Sequence, residues 1–349
     1  MLREEVLPKV QKSLKKTIDE MLDLELANMR LLMGIKAKKG KKKKGKGKKK
    51  KGKKSKGPKL PGAKYLKGMT EFEMLIELVK NQIVKRLPPA HLKDFLGEFN
   101  YIASMMDDPK DTPRPPSMAL IRQLVTEYII FPLGSALVRK RHPEEVRSVL
   151  FYGPAGTGKT QVVRSVATET RAIVYDLSAI IVKDVYNADK KESEKMVAMV
   201  MMSAKKYAPS LIYIDECEKI FAGKKKKAKR DKKKPKKPKD PHDPVRIKKV
   251  LLKWKAKWIT DETRITVIGC TSEPQEGSKK DFKKFFDKAI YFPFPDYTTR
   301  RLMWKTFIED RAKFKLPPEF PLSTLAHISE GYSAGSIKTT CEKVLTMFR

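Results

Sequence analysis

The segment Gly153-Pro154-Ala155-Gly156-Thr157-Gly158-Lys159-Thr160 constrains this chain more than any other, because it satisfies G-x-x-x-x-G-K-[ST] at every fixed position. It follows the apolar run Val149-Leu150-Phe151-Tyr152 and precedes the helix-forming stretch from Gln161 to Thr168. That order predicts a strand, a glycine-rich turn and a helix. In such a turn backbone N–H groups converge on a phosphate, and the helix N-terminus adds the positive end of its dipole. Gly156 and Gly158 remove the Cβ atoms that would keep the backbone away from a nucleotide. Lys159 is expected to reach the β- and γ-phosphates, and the Thr160 hydroxyl to sit on Mg²⁺.

A second segment completes the pattern. Leu211-Ile212-Tyr213-Ile214 is apolar throughout, as in a strand buried on both faces, and it ends in Asp215-Glu216. In a P-loop NTPase the first carboxylate holds the Mg²⁺ shell, and the next acid polarises the attacking water. The competing reading is a helix N-cap, since a helical segment follows at Cys217 to Phe221. With the P-loop lysine 56 residues upstream of Asp215, nucleotide binding is the reading that accounts for both segments. Glu216 is the candidate catalytic residue, and Thr160 with Asp215 the candidate metal ligands.

The formal charge of +37 over 349 residues is unevenly spread. Lys36 to Lys59 holds 16 lysines and no acid, and Lys224 to Lys239 holds 12 basic residues against Asp231. Together these runs carry +27 and leave about +10 for everything else. Like-charge blocks repel themselves and bury too little apolar surface to order, so both are expected to be disordered insertions. Cys217, Cys270 and Cys341 form no C-x-x-C pair and read as buried thiols of a reducing compartment. The four histidines show no metal-ligand spacing. No apolar stretch approaches the ~18 residues a membrane span needs, and Met1-Leu2-Arg3-Glu4-Glu5 opens no signal peptide. An intracellular location is expected.

Along the chain, residues 2–33 repeat apolar side chains at helical spacing, including Leu14, Ile18, Met21, Leu22 and Leu26. Such a helix either packs on its own protein or docks a partner. Thr70 to Leu87 is predicted helical through Phe72, Leu75, Ile76, Val79 and Ile83, and His91 to Met106 as a shorter helical or mixed piece. Asp107 to Pro116 reads as a linker, and Ser117 as the N-cap of a helix ending near Pro132. Beyond Val146, strands and helices alternate, which signals a parallel sheet with crossover helices. Strands are expected at Val149–Tyr152, Ile173–Leu177, Leu211–Ile214, Ile265–Cys270 and Ala289–Phe292. Helices are expected at Lys159–Glu169, Glu194–Tyr207 and Val245–Trp258, then Thr298–Phe314, Leu322–Ser329 and Ala334–Phe348.

From about Ser117 onward these residues resemble an AAA ATPase. Gly153–Thr160 is similar to that family's Walker A and Ile214-Asp215-Glu216 to its Walker B. Ile268-Gly269-Cys270-Thr271-Ser272-Glu273-Pro274 resembles the sensor-1 strand, Ile290–Asp296 the closing strand, and Gly331-Tyr332-Ser333-Ala334-Gly335-Ser336 the start of the lid helix. A basic insertion ahead of Leu87-Pro88-Pro89, the Pro115-Pro116-Ser117 helix, the lysine-rich insertion after Walker B and Pro295–Lys305 resemble the IQ motif and AAA domain-containing proteins. The resemblance implies an α/β P-loop AAA module with a C-terminal helical lid, preceded by a mostly helical N-terminal region. Its expected parts are an amphipathic helical segment (1–35), a disordered Lys/Gly-rich run (36–60) and a helical region with linker (61–116). The AAA nucleotide-binding domain follows (117–296, with a disordered basic insertion at 224–243), then a lid (297–349) that reads as incomplete at Arg349. The implied ligands are ATP or ADP with Mg²⁺, held by Gly153, Pro154, Ala155, Gly156, Thr157, Gly158, Lys159, Thr160, Gln161, Asp215 and Ser272.

The resemblance further implies an axonemal scaffold of the nexin–dynein regulatory complex type. It would dock on doublet microtubules, through tubulin, and on subunits of that complex, in the cytoskeleton of a cilium or flagellum. No I-Q-x-x-x-R-G-x-x-x-R string occurs, so calmodulin is not carried over. Where the family places a trans-acting arginine, this chain has Lys283 and Lys284, which supply charge without the planar fork. Ser272 stands where the family usually has asparagine, and the lid start has no arginine. Slow or absent hydrolysis is therefore expected, with an active remodelling ATPase as the alternative. Tyr186 reads either as a pore aromatic or as a surface side chain. The lysine runs suit tubulin's acidic tails, anionic lipid headgroups or nucleic-acid phosphates by the same electrostatics, or serve only as solvated spacers. No aromatics are interleaved to stack on bases, so base recognition by a nucleic-acid-associated NTPase has no visible platform, and tubulin is preferred over nucleic acid only through the resemblance.

Overall fold

The computed structural model describes residues 61–66, 68–100, 115–141, 146–185, 190–223, 243–260 and 262–345, all within one compact unit spanning 57–349. The amphipathic segment at 2–33, both lysine runs, the linker at 107–114 and Tyr186 lie outside the described residues.

Five strands form one parallel sheet: β1 (Ser148–Tyr152), β2 (Ile173–Asp176), β3 (Ser210–Ile214), β4 (Ile265–Thr271) and β5 (Lys288–Tyr291). Their spatial order is β2-β3-β4-β1-β5, with Val149 beside Ile268 and Ile212 beside Val267. Each strand falls within about one residue of its expected place, because β-branched runs bounded by polar turns leave little freedom. The period-two alternation sends Leu150, Ile212 and Val267 into one apolar cluster and Val149, Phe151, Leu211 and Ile268 into another. Both faces are thus covered, as parallel sheets require. Each fully buried Val, Leu, Ile or Phe contributes roughly 1.5–3 kcal/mol of transfer free energy.

The helices follow in chain order. Ahead of the sheet come α1 (Glu71–Lys80), α2 (Met118–Val125), α3 (Phe131–Gly134) and α4 (Ala136–Arg141). Between the strands lie α5 (Lys159–Thr170), α6 (Ala179–Val185), α7 (Lys190–Lys206), α8 (Cys217–Ile220), α9 (Lys248–Trp258) and α10 (Lys279–Phe285). The lid comprises α11 (Tyr297–Ala312), α12 (Leu322–Ile328) and α13 (Ala334–Val344), which share a separate core of Met303, Trp304, Ile308, Ile337 and Cys341. Ser117 caps α2 by accepting a hydrogen bond from the Leu120 N–H, as its residue type predicts.

Three expectations need correction. The helix foreseen from Thr70 to Leu87 stops at Lys80, where Gln82 takes a φ of 56°. Val84 then bridges antiparallel to Tyr175, and the Ile83 carbonyl accepts from the Asp176 N–H, so the chain covers the β2 edge instead of continuing the helix. Met74 and Leu78 face inward on α1, whereas Phe72, Ile76 and Val79 are exposed. In place of the helical piece foreseen from His91, the described residues carry one 3₁₀ turn at Leu92–Asp94 amid extended chain; 101–106 are outside them. The Ser117 helix runs past Pro132, because the π turn Thr126–Ile130 lets the first turn of α3 accommodate a residue lacking an N–H.

Candidate functional site

The P-loop is shaped by its own atoms. Gly153, Gly156 and Gly158 have φ of 148°, 77° and 93°. A Cβ on Gly153 would stand 2.1 Å from the Phe292 carbonyl oxygen, and one on Gly158 would stand 2.8 Å from the Phe95 ring. These two positions require glycine for conformation and for space. The Thr157 hydroxyl donates to the Pro154 carbonyl at 2.9 Å. The Lys159 ammonium, nearly buried, donates to the carbonyls of Gly153 at 2.7 Å and Pro154 at 2.6 Å. Burial pushes Lys159 below the ordinary lysine value, against the opposing pull of Cys270, Asp215 and Glu218. Lys159 opens α5, whose first-turn N–H groups have no intrahelical acceptor.

A cavity of about 1030 Å³ lies over this turn. Ala155, Gly156, Gly158, Lys159, Thr160 and Gln161 line it, and Asp215, Glu216 and Ser272 reach it from the ends of β3 and β4. Gly153, Pro154 and Thr157 do not line it; they hold the loop's shape from beneath. Asp215 is fixed by a bond from its own N–H to the Ser178 hydroxyl at 3.1 Å, and its Oδ1 accepts from the Glu216 N–H at 3.0 Å. Glu216 occupies the N-cap position of α8 in a left-handed conformation (φ 47°) and makes no side-chain capping bond. Its carboxylate pairs with Lys219 at 2.5 Å. Capping is therefore not its role. Lys283 and Lys284 project from α10 into solvent and are not among the residues lining the cavity.

The cavity's other walls carry no local sequence signal. Pro88, Pro89, Ala90 and Leu96 form one side, and Phe307, Ala334, Gly335 and Lys338 of the lid another. Gln161 ties the first wall to α5 by donating to the Asp94 carbonyl at 3.2 Å. The Gly335 N–H donates to the Gly156 carbonyl at 2.9 Å, stitching the lid helix to the P-loop. Leu87-Pro88-Pro89 was visible as a motif, but nothing in its composition places it beside a loop 65 residues away.

The cradle fits a nucleoside triphosphate on three counts: the free first-turn N–H groups of α5, the buried Lys159, and an apolar wall suited to a purine ring. One carboxylate and one hydroxyl, Asp215 and Thr160, are the sparse oxygen donors Mg²⁺ uses alongside phosphate. Among the described residues no group of three or more His, Cys, Asp or Glu is placed to hold a metal, and no helix is long and apolar enough to cross a membrane.

Residues 149–294 match the family described as ATPase family associated with various cellular activities (AAA), and this part of the chain is an AAA ATPase domain. Among relatives, the chain is 29% identical over 368 residues to Dynein regulatory complex protein 11 of Mus musculus, covering 99% of this chain and 41% of that protein. It is 25% identical over 264 residues to Spastin of Gallus gallus, covering 75% of this chain and 37% of that protein. The chain thus spans about two-fifths of the length of these relatives. The fold matches the crystal structure of the FIGL-1 AAA domain in complex with ADP at a TM-score of 0.55 and 19% identity, over 77% of each chain.

Proposed function

We propose that this chain is a nucleotide-binding AAA module of a ciliary scaffold, of the dynein regulatory complex type, that docks on axonemal microtubules and hydrolyses ATP slowly or not at all. The observation that carries nucleotide binding is the single cavity shared by the P-loop, Asp215, Glu216, Ser272 and the lid. Lys159 and the first turn of α5 would hold phosphates, and Thr160 with Asp215 would hold Mg²⁺, which when bound neutralises developing phosphate charge. Glu216 is the group available to accept a proton from water. The module boundaries are 117–296 for the nucleotide-binding domain and 297–349 for the lid.

The likeness to Dynein regulatory complex protein 11 over nearly the whole chain supports the axonemal setting, and the spastin likeness supports a microtubule partner. Slow turnover is supported by the lysines of α10, which lack the bidentate geometry of arginine. A second reading, an active microtubule-directed remodeller, is favoured by the presence of Glu216 at the cavity. Purified protein separates the two readings. ATP or ADP retained without turnover supports the scaffold; turnover that climbs steeply with protein concentration and vanishes in Glu216→Gln supports the remodeller. Microtubule co-sedimentation with and without residues 36–59 tests the docking, and binding unchanged by the deletion removes that run from it. Tight, salt-sensitive DNA binding without microtubule binding would replace both readings with a nucleic-acid-associated NTPase.

A further inference from the structure

We propose that Tyr213 is a positioning residue of the Mg²⁺ site, whose buried hydroxyl donates to the Thr160 hydroxyl oxygen and turns that oxygen toward the metal. The proposal rests on the nucleotide-binding reading above and deepens it.

Tyr213 stands on β3 two residues before Asp215, opposite Ile268 of β4. Strand alternation puts it on the face that shares an apolar cluster with Phe151, Cys270 and, from α5, Val162 and Val163. The residue is 6% exposed, and its hydroxyl is buried with no hydrogen-bond partner among the described residues. The polar side chains that act on it are those of Cys270, Asp215 and Thr160. An apolar side chain would fill this place in the cluster equally well; the phenol adds one O–H beside both candidate metal ligands. Burial pushes the phenol above the ordinary tyrosine value, and Cys270 and Asp215 push it the same way, so it is a neutral donor at neutral pH.

A buried O–H left unpaired destabilises the free protein, so it gains by finding an acceptor. Counting lone pairs identifies which one. Asp215 Oδ1 already accepts from the Glu216 N–H at 3.0 Å, and the rest of that carboxylate is needed for the metal and its waters. The Thr160 hydroxyl carries one proton and two lone pairs. With a metal on one lone pair, the second is left facing the protein interior, where Tyr213 lies. Lys159, the other donor nearby, is committed to the carbonyls of Gly153 and Pro154. A bond from Tyr213 fixes the rotation of the Thr160 hydroxyl, and partners that orient a metal ligand in this way change metal affinity by about 10- to 100-fold.

The test is a Mg²⁺ titration of the full chain saturated with a fluorescent ADP analogue, beside thermal melts of the free protein in EDTA. Tyr213→Phe removes one oxygen and keeps the ring. It should raise the Mg²⁺ concentration at half-effect about tenfold or more, with analogue affinity in EDTA unchanged. Its free-protein Tm should equal or exceed wild type, because the lost hydroxyl was unpaired there. In a Thr160→Ala background the same substitution should cost no further Mg²⁺ affinity, since the bond it removes ends on Thr160. An unchanged Mg²⁺ titration in Tyr213→Phe overturns the proposal, as does an equal further loss in the Thr160→Ala background. A lower free-protein Tm also overturns it, by showing a hydroxyl already paired for stability. Failure of the wild type to bind the analogue would instead overturn the reading beneath it.

Discussion

At the residue scale, Lys159 and Glu218 show how burial sets the chemistry of the site. Lys159 is nearly buried yet satisfied, since two loop carbonyls accept from it. Lys159→Ala should cut nucleotide affinity by about 10- to 100-fold, the worth of hydrogen bonds to a charged group, as titrated with a fluorescent ATP analogue. Glu218 is buried with its Oε2 unpartnered, and burial pushes its carboxyl above the usual range, against a hydrogen bond from Thr271. A raised carboxyl favours folding while protonated, so its contribution is full below the unfolded value and fades as pH rises through the folded one. Glu218→Gln should therefore stabilise the fold, with a larger gain over wild type at pH 8 than at pH 5 in urea melts.

At the element scale, Asp287 fastens the start of β1 to the sheet. It accepts from the Ser148 N–H at 2.9 Å and the Arg147 N–H at 3.0 Å, and pairs with Lys255 of α9 at 2.6 Å. Burial pushes its carboxyl up, but Lys255, Arg147 and Ser148 together hold it below the usual range. A lowered carboxylate stabilises above its unfolded value and loses that support as pH falls toward its folded one. Asp287→Ala should cost about 2–3 kcal/mol at pH 7, with a smaller difference from wild type at pH 3, measured by denaturant unfolding. The strands were legible because apolar runs of this kind have few alternatives. The end of α1 was not, because Val84 leaves the helix for a bridge to Tyr175, a partner 91 residues away. The walls at Pro88 and Phe307 were hidden for the same reason: they join the site only through tertiary packing, while Gly153–Thr160, Asp215 and Ser272 announce themselves in local sequence.

At the scale of the whole molecule, the cavity draws on three separate stretches: the segment before α2, the sheet ends and the lid. Nucleotide binding should therefore stabilise the lid together with the sheet. At a hundredfold excess over Kd, ATP should add about 2.7 kcal/mol to unfolding. Ser333 caps α13 by accepting from the Ser336 N–H at 3.2 Å. Ser333→Ala should cost about 1 kcal/mol and weaken the ATP-induced shift in Tm, read by scanning calorimetry.

Because the Lys159 ammonium is already bonded to Gly153 and Pro154, an arriving phosphate exchanges bonds with the loop and does not simply add them. Affinity then depends on how well phosphate oxygens outcompete two neutral carbonyls for one cation, a contest set by charge and sensitive to whatever neutralises the triphosphate.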